Sequence, residues 1–189
     1  MTGVFARNPP EPHVEGTLAE ERPIAIPHGD TNLTGSVATV PGSVAVVLIA
    51  HDGGCGRHSP EMRRHAAELR RQRFATVMVD LLLPVEVGDP ERAAWMKLQV
   101  QELARRIGSA RTWIAGRRDL AGLPFVLFGE GAAIAPVLLS AHARPSGVAA
   151  VAVAKSMRAV NSRSLEDREY RAGIGDPHPR SCAVSVSSR

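Results

Sequence analysis

Four short apolar runs limit what this chain can fold into more than any other feature of its sequence. They span residues 44–50, 74–80, 124–128 and 148–153, and none of them alternates apolar with polar side chains. Strands of this kind are buried on both faces, as in the interior of a parallel sheet. Helical segments separate the runs, so the sequence predicts an α/β fold with a mostly parallel sheet and flanking helices.

Helix signals follow the runs. Ser59 stands in the N-cap position before a Pro and a Glu, which predicts a helix that continues to about Gln72. Asp89 also precedes a Pro and a Glu, and a stripe of apolar residues with helical spacing then continues to Ile114. One long helix is therefore predicted from Asp89, and an Ala-rich helix is predicted after the third run.

The predicted domain occupies residues 23–154 and opens with a hairpin whose turn is the His-Gly-Asp sequence at 28–30. Residues 1–22 are rich in Pro and Glu, show no period, and are predicted to be a flexible lead-in. Residues 155–189 are polar, rich in Ser and Arg, and lack any buried-strand pattern. This last segment is predicted to be an irregular, disordered tail.

Composition excludes several classes of protein. The 189 residues include 23 Lys and Arg, 19 Asp and Glu, and only 4% aromatics, so no nucleic-acid stacking surface is expected. Cys55 and Cys182 build neither a disulfide framework nor a CxxC metal pattern. The N-terminus has no apolar signal region, and no apolar run approaches the about 20 residues that span a bilayer. A cytoplasmic protein without membrane or nucleic-acid partners is expected.

Three loops follow the predicted strands, at the sheet edge where parallel α/β folds bind ligands. They are residues 51–58, the position of Asp80, and residues 129–133. The first is Gly-rich and precedes a helix, so its backbone N–H groups could hold a carboxylate, a phosphate or an oxyanion. It lacks the GxGxxG pattern and the P-loop Lys, which disfavours a nucleotide. A tight turn that only requires glycine is the alternative.

Individual side chains in these loops leave further alternatives open. The spacing of His51, Cys55 and His58 matches no standard metal site, so no metal and no cofactor is predicted. Cys55 near a helix N-terminus could be a nucleophile or a buried thiol without chemistry. Asp80 could cap a helix or anchor a loop.

The third loop has the spacing of a nucleophile elbow. In the G-x-S-x-G pattern, small residues allow a strained strand-to-helix turn that presents the nucleophile. Here the sequence is Gly-Glu-Gly-Ala-Ala, so Gly131 stands where the nucleophile would be and has no side chain. Glu130 could activate a bound water, but its charge would oppose an oxyanion, and a structural role is the alternative.

Together these loops and strands resemble the dienelactone-hydrolase-like branch of the α/β-hydrolase superfamily, over residues 24–153. The resemblance rests on the stretches VVLIAHDGGCGRHSPEMRRHAAELRRQRFATVMVDLLLP and AGLPFVLFGEGAAIAPVLLSA. It implies a partial α/β-hydrolase fold, ester or lactone hydrolysis in the family, and oxyanion donors at Gly53 or Gly54 and at Ala132. The implied pocket residues are His51, Asp52, Gly53, Gly54, Cys55, Glu130 and Ala132.

Two departures from the family shape the functional hypothesis. Gly131 replaces the Ser or Cys of the elbow, and the chain stops before the strands that would carry the triad acid and His. Asp176 and His178 form the only late pair, either a displaced acid and base or a solvated turn. The chain is therefore predicted to be a truncated and catalytically impaired or inactive pseudoenzyme.

Three alternatives remain beside this hypothesis. One is a working hydrolase with a non-standard nucleophile, for which Cys55 is the candidate. Another is a module whose Gly-rich loop binds a small ester, an anionic ligand or a partner, with oligomerisation through an exposed sheet edge. The last is that the tail results from a shifted reading frame or a truncated gene.

Overall fold

A computed structural model describes residues 20–52, 56–154 and 182–184 of the chain. Its strands are β1 (Arg22–His28), β2 (Thr31–Ala38), β3 (Ala45–His51), β4 (Phe74–Asp80), β5 (Phe125–Glu130), β6 (Val148–Ala154) and β7 (Cys182–Val184). Its helices are α1 (Pro60–Arg71), α2 (Pro84–Val87), α3 (Pro90–Leu98), α4 (Val100–Ala115) and α5 (Ile134–Ala143). No helix in these described stretches is long and apolar enough to cross a membrane.

One sheet contains all of these strands, in the order β1-β2-β4-β3-β5-β6-β7. The four central strands, β4, β3, β5 and β6, pair in parallel, whereas β2 joins β4, and β7 joins β6, in antiparallel fashion. The predicted α/β fold is confirmed. Because the parallel strands end at one edge, β3, β4 and β5 release their loops side by side.

The predicted hairpin at the start of the domain is confirmed. β1 and β2 are antiparallel, and His28 pairs with Thr31 across a two-residue turn. Gly29 has a φ of +56°, a left-handed conformation that glycine adopts without a steric penalty.

The structure describes three residues of the tail that was predicted to be irregular. Cys182–Val184 form β7, a strand that the sequence pattern did not predict, and pair with residues 151–153 of β6. The remaining tail residues and residues 1–19 lie outside the described part of the chain. The predictions made for them stay predictions.

The helices differ from the sequence-based expectation in two ways. The single long helix predicted from Asp89 is wrong, because Gln99, with ψ of 62°, separates α3 from α4. Asp89 does begin α3, and its carboxylate accepts hydrogen bonds from the N–H groups of Glu91 and Arg92. Ser59 is the N-cap residue of α1, but its side chain makes no capping hydrogen bond. The predicted Pro stands at the first helical position, and Glu61 lies in the first turn.

Core packing explains why the central strands lack alternation. The even-numbered apolar residues of β3 belong to the cluster beneath α4 and α5, and Val47 and Ile49 pack with α1 through Met62 and Ala66. Both faces of β3 are therefore covered, and every one of its residues from Ala45 to Ala50 is buried. The loop edge lies where these strands end together, since His51 of β3 pairs with Asp80 of β4 and Ala50 pairs with Gly129 of β5.

Candidate functional site

The loop edge brings Asp52 and the elbow together, as the sequence predicts for adjacent parallel strands. Asp52 follows β3, and its Oδ2 accepts a hydrogen bond of 3.2 Å from the backbone N–H of Ala132. Ala132 is the residue whose N–H was expected to be an oxyanion donor. In this structure that donor binds a carboxylate of the protein itself. Gly53, Gly54 and Cys55, the other predicted members of this loop, lie outside the described residues.

The turn after β5 has the backbone geometry of an elbow. β5 ends at Glu130, a 3₁₀ turn covers Gly131–Ala133, and α5 follows directly. Gly131 has a φ of +60°, in the left-handed region that disfavours other residues. A Cβ on Gly129 would lie 2.9 Å from Val137 Cγ2 and 3.0 Å from the Ala133 carbonyl oxygen. The small residues therefore allow this sharp turn to pack against α5.

The space in front of Gly131 contains the Asp52 carboxylate. A Cβ on Gly131 would lie 3.4 Å from Asp52 Oδ2, 3.8 Å from its Cγ and 4.0 Å from its Oδ1, and these are the three nearest described atoms outside residues 130–132. A side chain at position 131 would therefore contact Asp52 before any other described residue.

Lys97 is a site residue that sequence reasoning missed. Its Nζ lies 3.8 Å from Asp52 Oδ2, and His51 Nδ1 lies 3.7 Å from Asp52 Oδ1. Lys97 reaches Asp52 because α3 ends at Leu98 and packs against the elbow turn. The prediction of one continuous helix did not place Lys97 near Asp52. A single lysine on a helix also gives no sequence pattern that would mark it as a site residue.

Glu130 has an unusual electrostatic environment. Burial raises the pKa of its carboxyl above the ordinary value, and the negative charges of Glu61 and Asp52 raise it further. His51 and His65 act in the opposite direction but do not compensate. A raised pKa from burial and like charges is typical of functional sites, although structural clusters can produce it too.

Asp80 anchors the Gly-rich loop, which decides between the two roles considered for it. Its Oδ1 accepts a hydrogen bond of 3.1 Å from the Arg57 N–H, and its Oδ2 forms an ion pair with the Arg57 guanidinium. Thr34 donates a further hydrogen bond of 3.1 Å to Oδ2. Asp80 thus ties the end of the loop to β4 and to the hairpin.

Metal binding finds no support in the described residues, where no group of three or more His, Cys, Asp or Glu could hold an ion. Cys55, Asp176 and His178 lie outside them, so the roles considered for these three stay predictions.

A second charged cluster, which the sequence analysis did not identify, lies behind β4. Arg106 of α4 donates to both carboxylate oxygens of Glu86, at 2.7 and 2.8 Å, and to the Leu81 carbonyl oxygen at 2.6 Å. Burial alone would raise the pKa of Glu86, but hydrogen bonds from Arg106 and the Leu83 N–H, with the Arg106 charge, lower it. This cluster fastens the segment after β4, and so supports α3 and Lys97.

A groove that the described residues form lies elsewhere on the molecule. This groove of about 710 Å³ runs between α4 and α5 and is lined by Trp113, Leu139 and Arg144 among others. None of the residues around Asp52 and Gly131 lines it, so it is separate from the elbow.

Comparison with known proteins agrees with this geometry. A dienelactone hydrolase from Anabaena variabilis ATCC 29413 superposes with a TM-score of 0.66 at 29% identity, over 71% of this chain and 62% of that one. A dienelactone-hydrolase-like promiscuous phosphotriesterase from metagenomic libraries gives a TM-score of 0.56 at 19% identity, over 71% of this chain and 58% of that one. No family profile matches the chain.

Curated relatives match a shorter stretch. Two Mycobacterium tuberculosis proteins, from strains CDC 1551 and H37Rv, are 34% identical to this chain over 96 residues, and both carry the name phosphoribosyl transferase. The match covers 51% of this chain and 21% of each relative. The matched region is therefore about a fifth of the length of the two proteins that carry this name.

The predicted resemblance is confirmed by these findings. The chain has the α/β-hydrolase fold of the dienelactone-hydrolase-like branch, and it spans 62% of the length of the solved dienelactone hydrolase.

Proposed function

We propose that this chain binds a small ester-like or carboxylate-bearing ligand at the elbow and does not hydrolyse it through an elbow nucleophile. Gly131 is the observation that carries the proposal. It has the left-handed backbone of the elbow, with a φ of +60°, and no side chain that could attack a carbonyl carbon. Covalent ester hydrolysis needs such a nucleophile beside a base.

The electrostatics around Gly131 support the same conclusion. The Ala132 N–H, which would stabilise a developing oxyanion, donates to the Asp52 carboxylate instead. While Asp52 holds this donor, its negative charge would repel the negative charge of a transition state rather than stabilise it. Glu130 adds a second carboxylate, since it precedes Gly131 directly.

Kinetics with nitrophenyl acetate and nitrophenyl butyrate test the absence of turnover. We expect the wild-type chain to release nitrophenol no faster than a Gly131→Ala variant or an equal concentration of serum albumin. Binding is followed in parallel by the change in midpoint temperature when non-hydrolysable ester analogues are added, and we expect an increase.

Turnover at an enzyme-like rate that one substitution abolishes would overturn the proposal. A rate that Cys55→Ser or thiol alkylation removes would assign the chemistry to Cys55. A rate that Glu130→Gln removes would assign it to a water activated by Glu130.

A further inference from the structure

Two donors from different parts of the chain converge on one oxygen beside the elbow. The Ala132 N–H comes from the turn after β5 and lies 3.2 Å from Asp52 Oδ2. The Lys97 ammonium comes from α3 and lies 3.8 Å from the same oxygen. A backbone N–H and an ammonium that point at one place create a position for an anion. Asp52 itself fills this position.

Among the described residues, the Asp52 carboxylate also lies next to Gly131. The three described atoms outside residues 130–132 that are closest to a Cβ on Gly131 all belong to this carboxylate. Removal of that carboxylate would leave a gap of about its own size, with the Ala132 N–H and Lys97 at one end. The side chain of Asp52 is 20% exposed, so the gap would be accessible from solvent.

We propose that Asp52 is a built-in occupant of an anion position at the elbow, and that the matching ligand is a small carboxylate that must displace it. This inference rests on the proposed function and names its ligand class. The planar shape follows from the present occupant. Its Oδ2 accepts a hydrogen bond from the Ala132 N–H and lies 3.8 Å from the Lys97 ammonium, while its Oδ1 lies 3.7 Å from His51 Nδ1. A ligand carboxylate would reproduce these contacts.

Displacement makes ligand affinity depend on Asp52. Two carboxylates cannot share the position, because like charges at this separation repel strongly. The fraction of molecules in which Asp52 has left the position therefore scales the apparent affinity of the wild-type chain. Removing the Asp52 carboxylate removes this penalty without touching either donor.

Acetate is the probe, and the Ala132 amide signal in ¹H–¹⁵N spectra is the reporter. We expect Asp52→Ala to bind acetate at least about tenfold more tightly than the wild type, with a shift at the Ala132 amide. Asp52→Asn keeps the position filled by a group of the same shape, and we expect no such gain from it. Adding Lys97→Met to Asp52→Ala should weaken acetate binding again by about tenfold.

Acetate that binds Asp52→Ala no better than wild type, or that leaves the Ala132 amide unmoved, overturns the proposal. Equal binding of inorganic phosphate would overturn the carboxylate class. Asp52→Gly opens the same position if Asp52→Ala does not fold. Nitrophenyl ester turnover by the wild type would contradict the proposed function whatever acetate does, so the two failures are distinguishable.

Discussion

Carboxylates occupy two very different clusters in this molecule. Behind β4, Arg106 donates hydrogen bonds of 2.7 and 2.8 Å to Glu86 and one of 3.3 Å to Glu102, and the pKa of each carboxyl is lowered. At the elbow, burial and neighbouring acids raise the pKa of Glu130, and the Lys97 ammonium lies 3.8 Å from the Asp52 carboxylate. The same chemical group is thus paired in one place and left under-neutralised in the other.

The two clusters therefore differ in role: the charges around Arg106 hold the fold together, whereas the charges at the elbow are available to a ligand. A buried ion pair with all its hydrogen bonds satisfied has no capacity left for another partner. A loosely held carboxylate at a solvent-accessible edge, such as Asp52, can instead leave the Ala132 N–H, and this donor then becomes available to a ligand. The following predictions test this contrast, beginning with the largest effect.

Arg106→Met should produce the largest loss of stability. Both side chains of the Arg106–Glu86 pair are about 5% exposed or less, so the substitution leaves a buried carboxylate without its cation. Breaking such a pair typically lowers the free energy of unfolding by about 3–5 kcal/mol. Urea denaturation near neutral pH measures the loss.

Arg105→Met is the matched control for that substitution. Arg105 contacts Glu102 from the same helix, but its side chain is 68% exposed, and exposed pairs contribute about 0–1 kcal/mol. Equal losses for the two variants would contradict the distinction between the clusters.

Glu102→Gln should make the free energy of unfolding less dependent on pH at acidic pH. Burial tends to raise the pKa of Glu102, but hydrogen bonds with His28 and Arg105, and the Arg105 charge, lower it to about 2. Because the folded pKa lies below the unfolded one, the stabilisation is present above about pH 4.5 and is lost as the pH falls toward about 2. The variant lacks this stabilisation at every pH.

Urea denaturation at several pH values between about 7 and 3 measures this effect. We expect Glu102→Gln to lose about 1–2 kcal/mol near pH 7, and we expect this difference from the wild type to become smaller as the pH falls to about 3. The exposed Glu20→Gln should follow the wild-type curve. A constant difference between Glu102→Gln and wild type at all pH values would show that no titration is involved.

Gly131→Ala should lower the free energy of unfolding by about 1–2 kcal/mol, because a φ of +60° is strained for any residue with a Cβ. Gly108→Ala is the control: Gly108 lies inside α4, and its Cβ would meet nothing within 4 Å. We expect that variant to gain about 0.5–1 kcal/mol. Thermal or urea unfolding of both variants measures these changes. If the two substitutions changed the free energy of unfolding in the same direction and by the same amount, the left-handed conformation of Gly131 would be contradicted.

Glu130→Gln should have the smallest effect and the opposite sign from Glu102→Gln. Since the folded pKa of Glu130 is raised, its ionised form destabilises the fold, and this penalty grows as the pH rises through that pKa. Removing the charge should therefore raise the free energy of unfolding slightly near pH 7. Asp119→Asn, which breaks an ion pair with Arg117, should instead cause a small loss. A loss from Glu130→Gln would show that its carboxylate is structural.

Long-range contacts set the limit of sequence-based prediction here. The strands could be predicted because burial on both faces requires an apolar residue at every position, as in β3. The elbow could be predicted because its small residues are adjacent in sequence. The Arg106–Glu86 pair could not, since its members lie 20 residues apart on separate helices and look like ordinary surface charges. The break at Gln99 was missed because the apolar stripe of α4 begins directly after it.

The sequence by itself determined the α/β class, the edge where the loops meet, and the absence of a nucleophile side chain at position 131. These depend on local patterns, namely apolar runs and the spacing of small residues. Only the tertiary structure decided that the Asp52 carboxylate accepts a hydrogen bond from the Ala132 N–H and that the Lys97 ammonium lies near the same carboxylate oxygen. These residues lie 80 and 45 positions from Asp52. Their meeting depends on how β3, β5 and α3 pack, and pairwise contacts over such distances leave no pattern in a single sequence.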